Sequence, residues 1–193
     1  MSNLNFLISN LISGDDEQAE AAAVEMAAFG ADALPALKEL LGSSDADTRW
    51  WATRALAGIA HPESTLLLRK GLSDPDLSVR QCAALAFKEH ASGETIPDLI
   101  SALNDHDQLL RRLAAEALIA VGPGAVPALI EIMQIGPQVA RLEAVRALAL
   151  IGDRAAIPAL FDVLDDDSAT VGYWAEEGLE RLGVEMVFFT PDR

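Results

Sequence analysis

The stretch Asp74-Pro-Asp-Leu-Ser-Val-Arg80-Gln-Cys-Ala-Ala-Leu-Ala-Phe87 decides the fold, because its frame returns along the whole chain. Arginines stand at Arg49, Arg80, Arg111 and Arg141, 30 or 31 residues apart. Three residues after each comes an alanine: Ala52, Ala83, Ala114 and Ala144. Six after each comes a second (Ala55, Ala86, Ala117, Ala147), followed at once by a large apolar residue (Leu56, Phe87, Leu118, Leu148). A fifth copy keeps the frame as Gly172, Ala175, Gly178 and Leu179 but lacks the arginine. Apolar residues three and four apart form one stripe of a helix. A fixed period of this length marks a chain of stacked supersecondary units.

Each unit has a companion helix upstream, marked by Pro35, Pro97, Pro127 and Pro158, with Thr65 in the equivalent place of the second unit. The first helices read Pro35–Leu41, Pro97–Leu103, Pro127–Met133 and Pro158–Leu164. The second helices run from the arginine position to a glycine such as Gly122, Gly152 or Gly183, a natural C-cap. Ser43-Ser-Asp45, Asp74-Pro-Asp76 and Asp105-His-Asp107 lie between them. The first residue of each triplet is expected to be the N-cap, Pro75 the first helical residue, and the second Asp a partner for the positive end of the helix dipole. Asp45/Arg49, Asp76/Arg80 and Asp107/Arg111 are spaced i, i+4, which puts each pair on one helix face.

A degenerate pair, Leu4–Ser13 and Asp15–Phe29, precedes these units. The expected architecture is therefore all-α, about six antiparallel helix pairs in a single domain. It comprises a capping pair over 1–30, repeats over 31–60, 61–93, 94–122, 123–152 and 153–183, and a capping tail over 184–193. Val184–Phe189 is expected to fold over the last pair, because a terminal repeat must cover its apolar side.

Composition agrees and excludes several classes. The chain has 193 residues, of which 34 are Ala and 28 Leu, a helix-forming composition. One cysteine leaves neither an internal disulfide nor a multi-Cys zinc site. A net charge of −16 opposes nucleic-acid binding, which depends on Lys and Arg displacing counterions. Leu4, Leu7, Ile8, Leu11 and Ile12 form an amphipathic stripe with no preceding Lys or Arg, unlike a secretory signal. No apolar run approaches the ~18 residues of a membrane span, so a cytoplasmic protein without membrane partners is expected. No Gly-rich phosphate loop, GxSxG or HExxH is present, and the Asp-rich turns lack the dense oxygen loop of a calcium site. The chain is read as no enzyme, with no metal, no cofactor and no catalytic residue.

The pattern Asp-Pro-Asp-x-x-Val-Arg-x-x-Ala-x-x-Ala-Leu, standing at Asp74–Phe87, resembles the short HEAT-like repeat, also called the phycobilisome-lyase repeat. That resemblance covers nearly the whole chain and implies an α-solenoid. It also implies that the Asp and Arg of each unit form a structural ladder: Asp45, Arg49, Asp76, Arg80, Asp107 and Arg111. Pro137 replaces the Asp before Arg141, and Gly172 replaces the Arg after Ser168, so the ladder is expected to break near repeats four to five.

In such solenoids the second helices line the concave surface. Positions one, two, five and nine after the arginine are not needed by the alanine/leucine core and face that hollow. The candidate binding residues are Trp50, Trp51, Arg54, Arg112, Glu116, Leu142, Arg146, Tyr173, Trp174, Glu177 and Arg181. All three tryptophans and the only tyrosine fall in this set, paired at equivalent positions of repeats one and five. Aromatics and arginine anchor protein interfaces because they bury large area while keeping a polar handle. The expected function is a non-catalytic scaffold for a protein or peptide, with the aromatics as anchors and the arginines orienting polar groups. The alternative is an accessory role in enzyme chemistry: the repeat resembles that of phycobilin lyase subunits, which attach or detach a bilin chromophore.

Overall fold

A computed structural model describes residues 2–184. Among them are twelve α-helices, in order α1 (Ser2–Leu11), α2 (Asp16–Met26), α3 (Leu34–Leu40), α4 (Ala46–Ala57), α5 (Pro62–Gly71), α6 (Leu77–Ala86), α7 (Ile96–Leu103), α8 (Gln108–Val121), α9 (Val126–Ile135), α10 (Gln138–Ile151), α11 (Ile157–Phe161) and α12 (Ala169–Arg181). They form six consecutive antiparallel pairs, an α-solenoid. The tail expected to cap the last pair, including Phe188 and Phe189, lies outside the described residues except for Val184.

Prolines open the first helices because the first turn has no use for their missing N–H. Pro35, Pro97, Pro127 and Pro158 each take the second helical position, and Pro62 the first. At α5 the His61 Nδ1 accepts the Glu63 N–H at 3.1 Å and caps the helix. Helix α11 ends at Phe161, earlier than its pattern suggests, where Asp162 and Asp165–Asp167 crowd its C-terminal side. Negative charge is unfavourable at that end of the helix dipole.

The turns between paired helices differ from expectation in register. Asp45, Asp76 and Asp107, the second acids of the triplets, are the N-caps: they accept from the N–H groups of Thr48, Ser78 and Leu110 at 2.9, 2.8 and 2.7 Å. The residues before them, Ser43, Asp74 and Asp105, instead accept the N–H of the capping residue itself at 3.1, 2.8 and 2.9 Å. Pro75 therefore sits in this turn, and α6 starts at Leu77. The extended backbone of Asp76 (φ −85°, ψ 131°) is what an N-cap requires.

The core is one continuous cluster running the length of the chain, built from the repeated Ala and Leu positions. Ala52, Ala83, Ala114 and Ala144 are fully buried, as are Leu56, Phe87, Leu118, Leu148 and Leu179. The second helices pack serially, α2 on α4, then α6, α8, α10 and α12, more extensively than the first helices pack on one another. Small side chains allow that approach. A Cβ at Gly178 would meet the Ala149 Cβ at 2.9 Å and the Leu160 Cδ1 at 3.0 Å.

The most apolar stretch, Gln108–Ile135, is by length and composition long enough to cross a membrane. It is two helices, however: Gly122 takes φ 76°, open to glycine at no steric cost, and Pro123 follows. Leu110, Leu118, Leu129 and Met133 from this stretch are fully buried in the repeat core.

Candidate functional site

Two surfaces of this stack carry organised polar chemistry. The first is the edge formed by the turns. Arg49 donates through Nε and Nη2 to both oxygens of Asp74, each at 2.8 Å, a two-toothed pair whose side chains are only 11% exposed. Arg80 lies 3.4 Å from Asp105, and Arg141 donates to Asp166 and, through Nε, to the Met133 carbonyl at 2.8 Å. A ladder therefore exists, but its rungs are not the expected i, i+4 pairs. Asp45, Asp76 and Asp107 are occupied as N-caps, and Arg49, Arg80 and Arg141 each reach an aspartate of the next repeat. The reason is orientation: the arginine's own turn offers it carbonyls instead. Arg49 Nη1 donates to Ser43 O and Ser44 O at 3.0 and 3.3 Å, and Arg80 Nη1 to Asp74 O and Pro75 O at 2.9 and 3.2 Å. These clamps aim the guanidinium outward at the neighbouring repeat.

The break in the ladder also moves. Arg141, despite Pro137, keeps its rung to Asp166. Among the four repeat-frame arginines, Arg111 is the one with no carboxylate partner in the described residues. At Gly172, the place of a fifth arginine, a Cβ would meet the Leu164 carbonyl oxygen at 3.0 Å. At two rungs the carboxylate is held below its usual range. The Arg49 guanidinium beside Asp74 holds its carboxyl below the usual value of 3.8. At Asp166 the Ser168 N–H does so first, then Arg141. At Asp45 and Asp76 the capping contacts to Thr48 and Ser78 act in the same direction.

The second surface is the second-helix face. Trp50 and Trp51 stack edge to face with ring centres 4.7 Å apart, and Tyr173 and Trp174 do the same at 5.5 Å. Tyr173 is 56% exposed, while the three indoles are half-buried, with Trp51 and Trp174 resting on the core cluster. Each pair thus combines one ring seated on the core with one turned further outward. Between the two pairs the exposed apolar side chains are Leu85, Leu109 and Val139, with Leu142 half-buried. Leu109 and Val139 lie outside the positions that the repeat frame singles out. They stand two residues before Arg111 and Arg141, and at 100° per residue that position falls on the same face as the positions five and nine after the arginine.

The arginines of this face are not free. Arg54 pairs with Glu20 of α2. Glu116 takes Lys88 at 2.7 Å from the turn after α6 and Arg112 at 3.1 Å from its own helix. Arg181 pairs with Glu177 at 2.7 Å. Arg146 is 5% exposed, donates to Glu143 at 3.0 Å and has a buried Nη2 with no partner. The expectation that Arg146 is presented to a partner is corrected by this burial. It is seated in α10, the helix with the longest run of buried positions, Ala144 to Ala149. Lys88, and then Arg112, hold Glu116 below its usual range.

Cys82 lies on this face but is buried, and burial pushes its thiol up to about 12, so it is no nucleophile at neutral pH. His90 Nε2 sits 2.5 Å from the Ala57 carbonyl and ties the turn after α6 to the end of α4. Among the described residues no three His, Cys, Asp or Glu are grouped to hold a metal.

The family described as HEAT repeats matches residues 4–86, 65–138 and 126–187. The uncharacterized phycocyanin operon protein Z of Pseudanabaena tenuis is 29% identical over 171 residues, 82% of this chain and 83% of its own. The structure of the complex of CpcE and CpcF of phycocyanin lyase from a Nostoc species matches with TM-score 0.57 and 22% identity, covering 94% of this chain and 77% of that one. A designed armadillo repeat protein in complex with the peptide (KR)4 matches with TM-score 0.54 and 21% identity, covering 93% and 99%. Both structures share the fold.

Proposed function

Because the chain belongs to the HEAT-repeat family, we propose that it is a non-catalytic scaffold binding an extended protein segment along its second-helix face. Trp50 and Trp51 anchor one end, Tyr173 and Trp174 the other, and Leu85, Leu109, Val139 and Leu142 supply the apolar middle. The observation that carries this reading is the recurrence of an edge-to-face aromatic pair in one register, four repeats apart. Four interhelical steps of ~8–10 Å separate the pairs by roughly 32–40 Å. An extended segment spans that with about nine to twelve residues.

Recognition is apolar at the centre. Arg54, Arg112 and Arg181 already hold carboxylates, so they contribute as a neutralised polar rim rather than as open receptors. Exposed pairs of this kind are weak, about 0–1 kcal/mol, and exchange partners readily. The net charge of −16 favours a partner carrying Lys and Arg outside the contact, through faster encounter. The designed armadillo relative binds a basic peptide.

The test is capture of the partner from its source cell by the wild-type chain and by Trp51→Ala combined with Trp174→Ala. Recovery falls sharply in the double variant while circular dichroism still shows a helical fold. Undiminished recovery places the partner elsewhere. In parallel, indole quenching by acrylamide decreases when the partner is added.

A second reading has one specific observation behind it, the relative from a phycocyanin operon. On this reading the scaffold serves a phycobilin lyase reaction as an accessory subunit, and the captured partner is a lyase subunit or its acceptor protein. An absorbance change on mixing with free bilin supports direct chromophore contact; an unchanged spectrum confines the role to the protein partner.

A further inference from the structure

The ladder supplies its own internal control. At Arg49 and Arg80 the same arrangement recurs: Nη1 is clamped by two carbonyls of the preceding turn, and the outer edge of the guanidinium meets an aspartate of the next repeat. Arg111 has the same clamp. Its Nη1 donates to Asp105 O and His106 O, both at 2.9 Å. Its Nε and Nη2 meet no carboxylate among the described residues. Counted back from the arginine position of the following repeat, Asp74, Asp105 and Asp166 stand six residues before; in the fourth repeat that place is held by Ile135.

Ile135 is 77% exposed, the highest of the exposed large hydrophobics. Gly136 and Pro137 follow it, and Pro137 caps α10 without a side-chain hydrogen bond. The turn edge here thus presents a held cation and, at the position of the missing aspartate, an exposed isoleucine, where its neighbours present closed ion pairs.

We propose that Arg111 and Ile135 form a docking point for an aspartate or glutamate side chain of a protein partner, flanked in that partner by apolar residues. The partner's carboxylate takes the position that Asp74 takes on Arg49, accepting from Nε and Nη2. Chemistry favours this occupant. The planar guanidinium fork matches a carboxylate in two-toothed geometry, the clamp has already fixed the fork's orientation, and Ile135 offers apolar contact that a free inorganic anion does not use. This site is separate from the second-helix aromatics and stands whether or not they bind the segment proposed above.

The test uses the whole chain labelled with 15N arginine, following the Nε–H resonances, with Arg111 assigned through Arg111→Lys. The probe is N-acetyl-Leu-Asp-Leu-amide, with its Asn counterpart and inorganic phosphate as controls. The Asp peptide shifts the Arg111 resonance in a saturable way at about millimolar concentration, while Arg49, Arg80 and Arg141 stay in place. The Asn peptide and phosphate bind at least about tenfold more weakly. Ile135→Asp, which puts a carboxylate of the chain itself on Arg111, abolishes the shift, whereas Ile135→Val retains it. Calorimetry with Arg111→Gln is the second measure, and the heat of Asp-peptide binding disappears. No Arg111 shift up to about 10 mM peptide, equal response to the Asn peptide or to phosphate, or unaltered binding by Ile135→Asp overturns the proposal.

Discussion

The turn edge and the second-helix face are built from the same residue types and do opposite things with them. At the edge, Arg49 and Arg141 reach 25 residues ahead to Asp74 and Asp166, so each pair crosses from one repeat to the next. On the face, Arg112 and Arg181 turn to a glutamate four residues away in their own helix. The edge pair Arg49–Asp74 is 11% exposed on both sides, whereas Arg112 and Arg181 are half in water. A pair that crosses a repeat boundary and excludes water fixes the stack. A pair within one helix, in water, neutralises charge and leaves recognition to the aromatics and leucines beside it.

The comparison breaks first where both regions share a core. Phe87→Ala, at a fully buried position between α6 and its neighbours, destabilises by about 3–5 kcal/mol in chemical denaturation. It loosens edge and face together. A smaller value means that the repeat layers collapse independently.

Removing one arginine from each region separates them. Arg49→Ala lowers the denaturation midpoint clearly, because it strands Asp74 in a poorly hydrated place. Arg112→Ala stays within about 0.5 kcal/mol of wild type, as surface substitutions do. Equal effects would show that the two kinds of pair do not differ.

Acid titration resolves the edge further. Asp74, Asp166, Asp45 and Asp76 are all held below their ordinary value of 3.8 in the folded chain. Their contribution to stability is complete above that value and is lost as pH falls through the depressed native values. Urea midpoints are therefore flat for these groups from neutral pH to about 5 and fall below about 4, and Asp74→Asn shows a shallower acid limb than wild type. The smallest effect is a gain: Ile135→Asp completes the rung at Arg111 and raises stability by about 0.2–1 kcal/mol. A loss would show that Arg111 is not aimed like its neighbours.

The repeat was legible because its signals are local and recur: a proline, a capping triplet, an arginine, two small residues and a leucine in one frame. The six pairs, the glycine stops and the aromatic positions follow from periodicity alone. The rungs were not legible, since the spacing of Asp45 and Arg49 fits a local pair equally well. Only the stacked structure shows that Asp45 is spent on the Thr48 N–H and that Asp74 comes within reach. The same limit hid the burial of Arg146 and the pairing of Arg54 with Glu20, which depend on how neighbouring helices sit. Leu109 and Val139 were within reach of the sequence, one helical turn before the positions selected.

Each rung links a donor in one unit to an acceptor in the next, and residues 74–104 carry one of each, Arg80 and Asp74. A second copy of that segment inserted after Asn104 leaves no rung unmatched: Arg49 meets the first Asp74, the first Arg80 the duplicated Asp74, and the last Arg80 Asp105. The scaffold is in this sense modular, extensible by roughly one helix spacing of ~8–10 Å at a time, with the distance between its terminal aromatic pairs growing by the same increment.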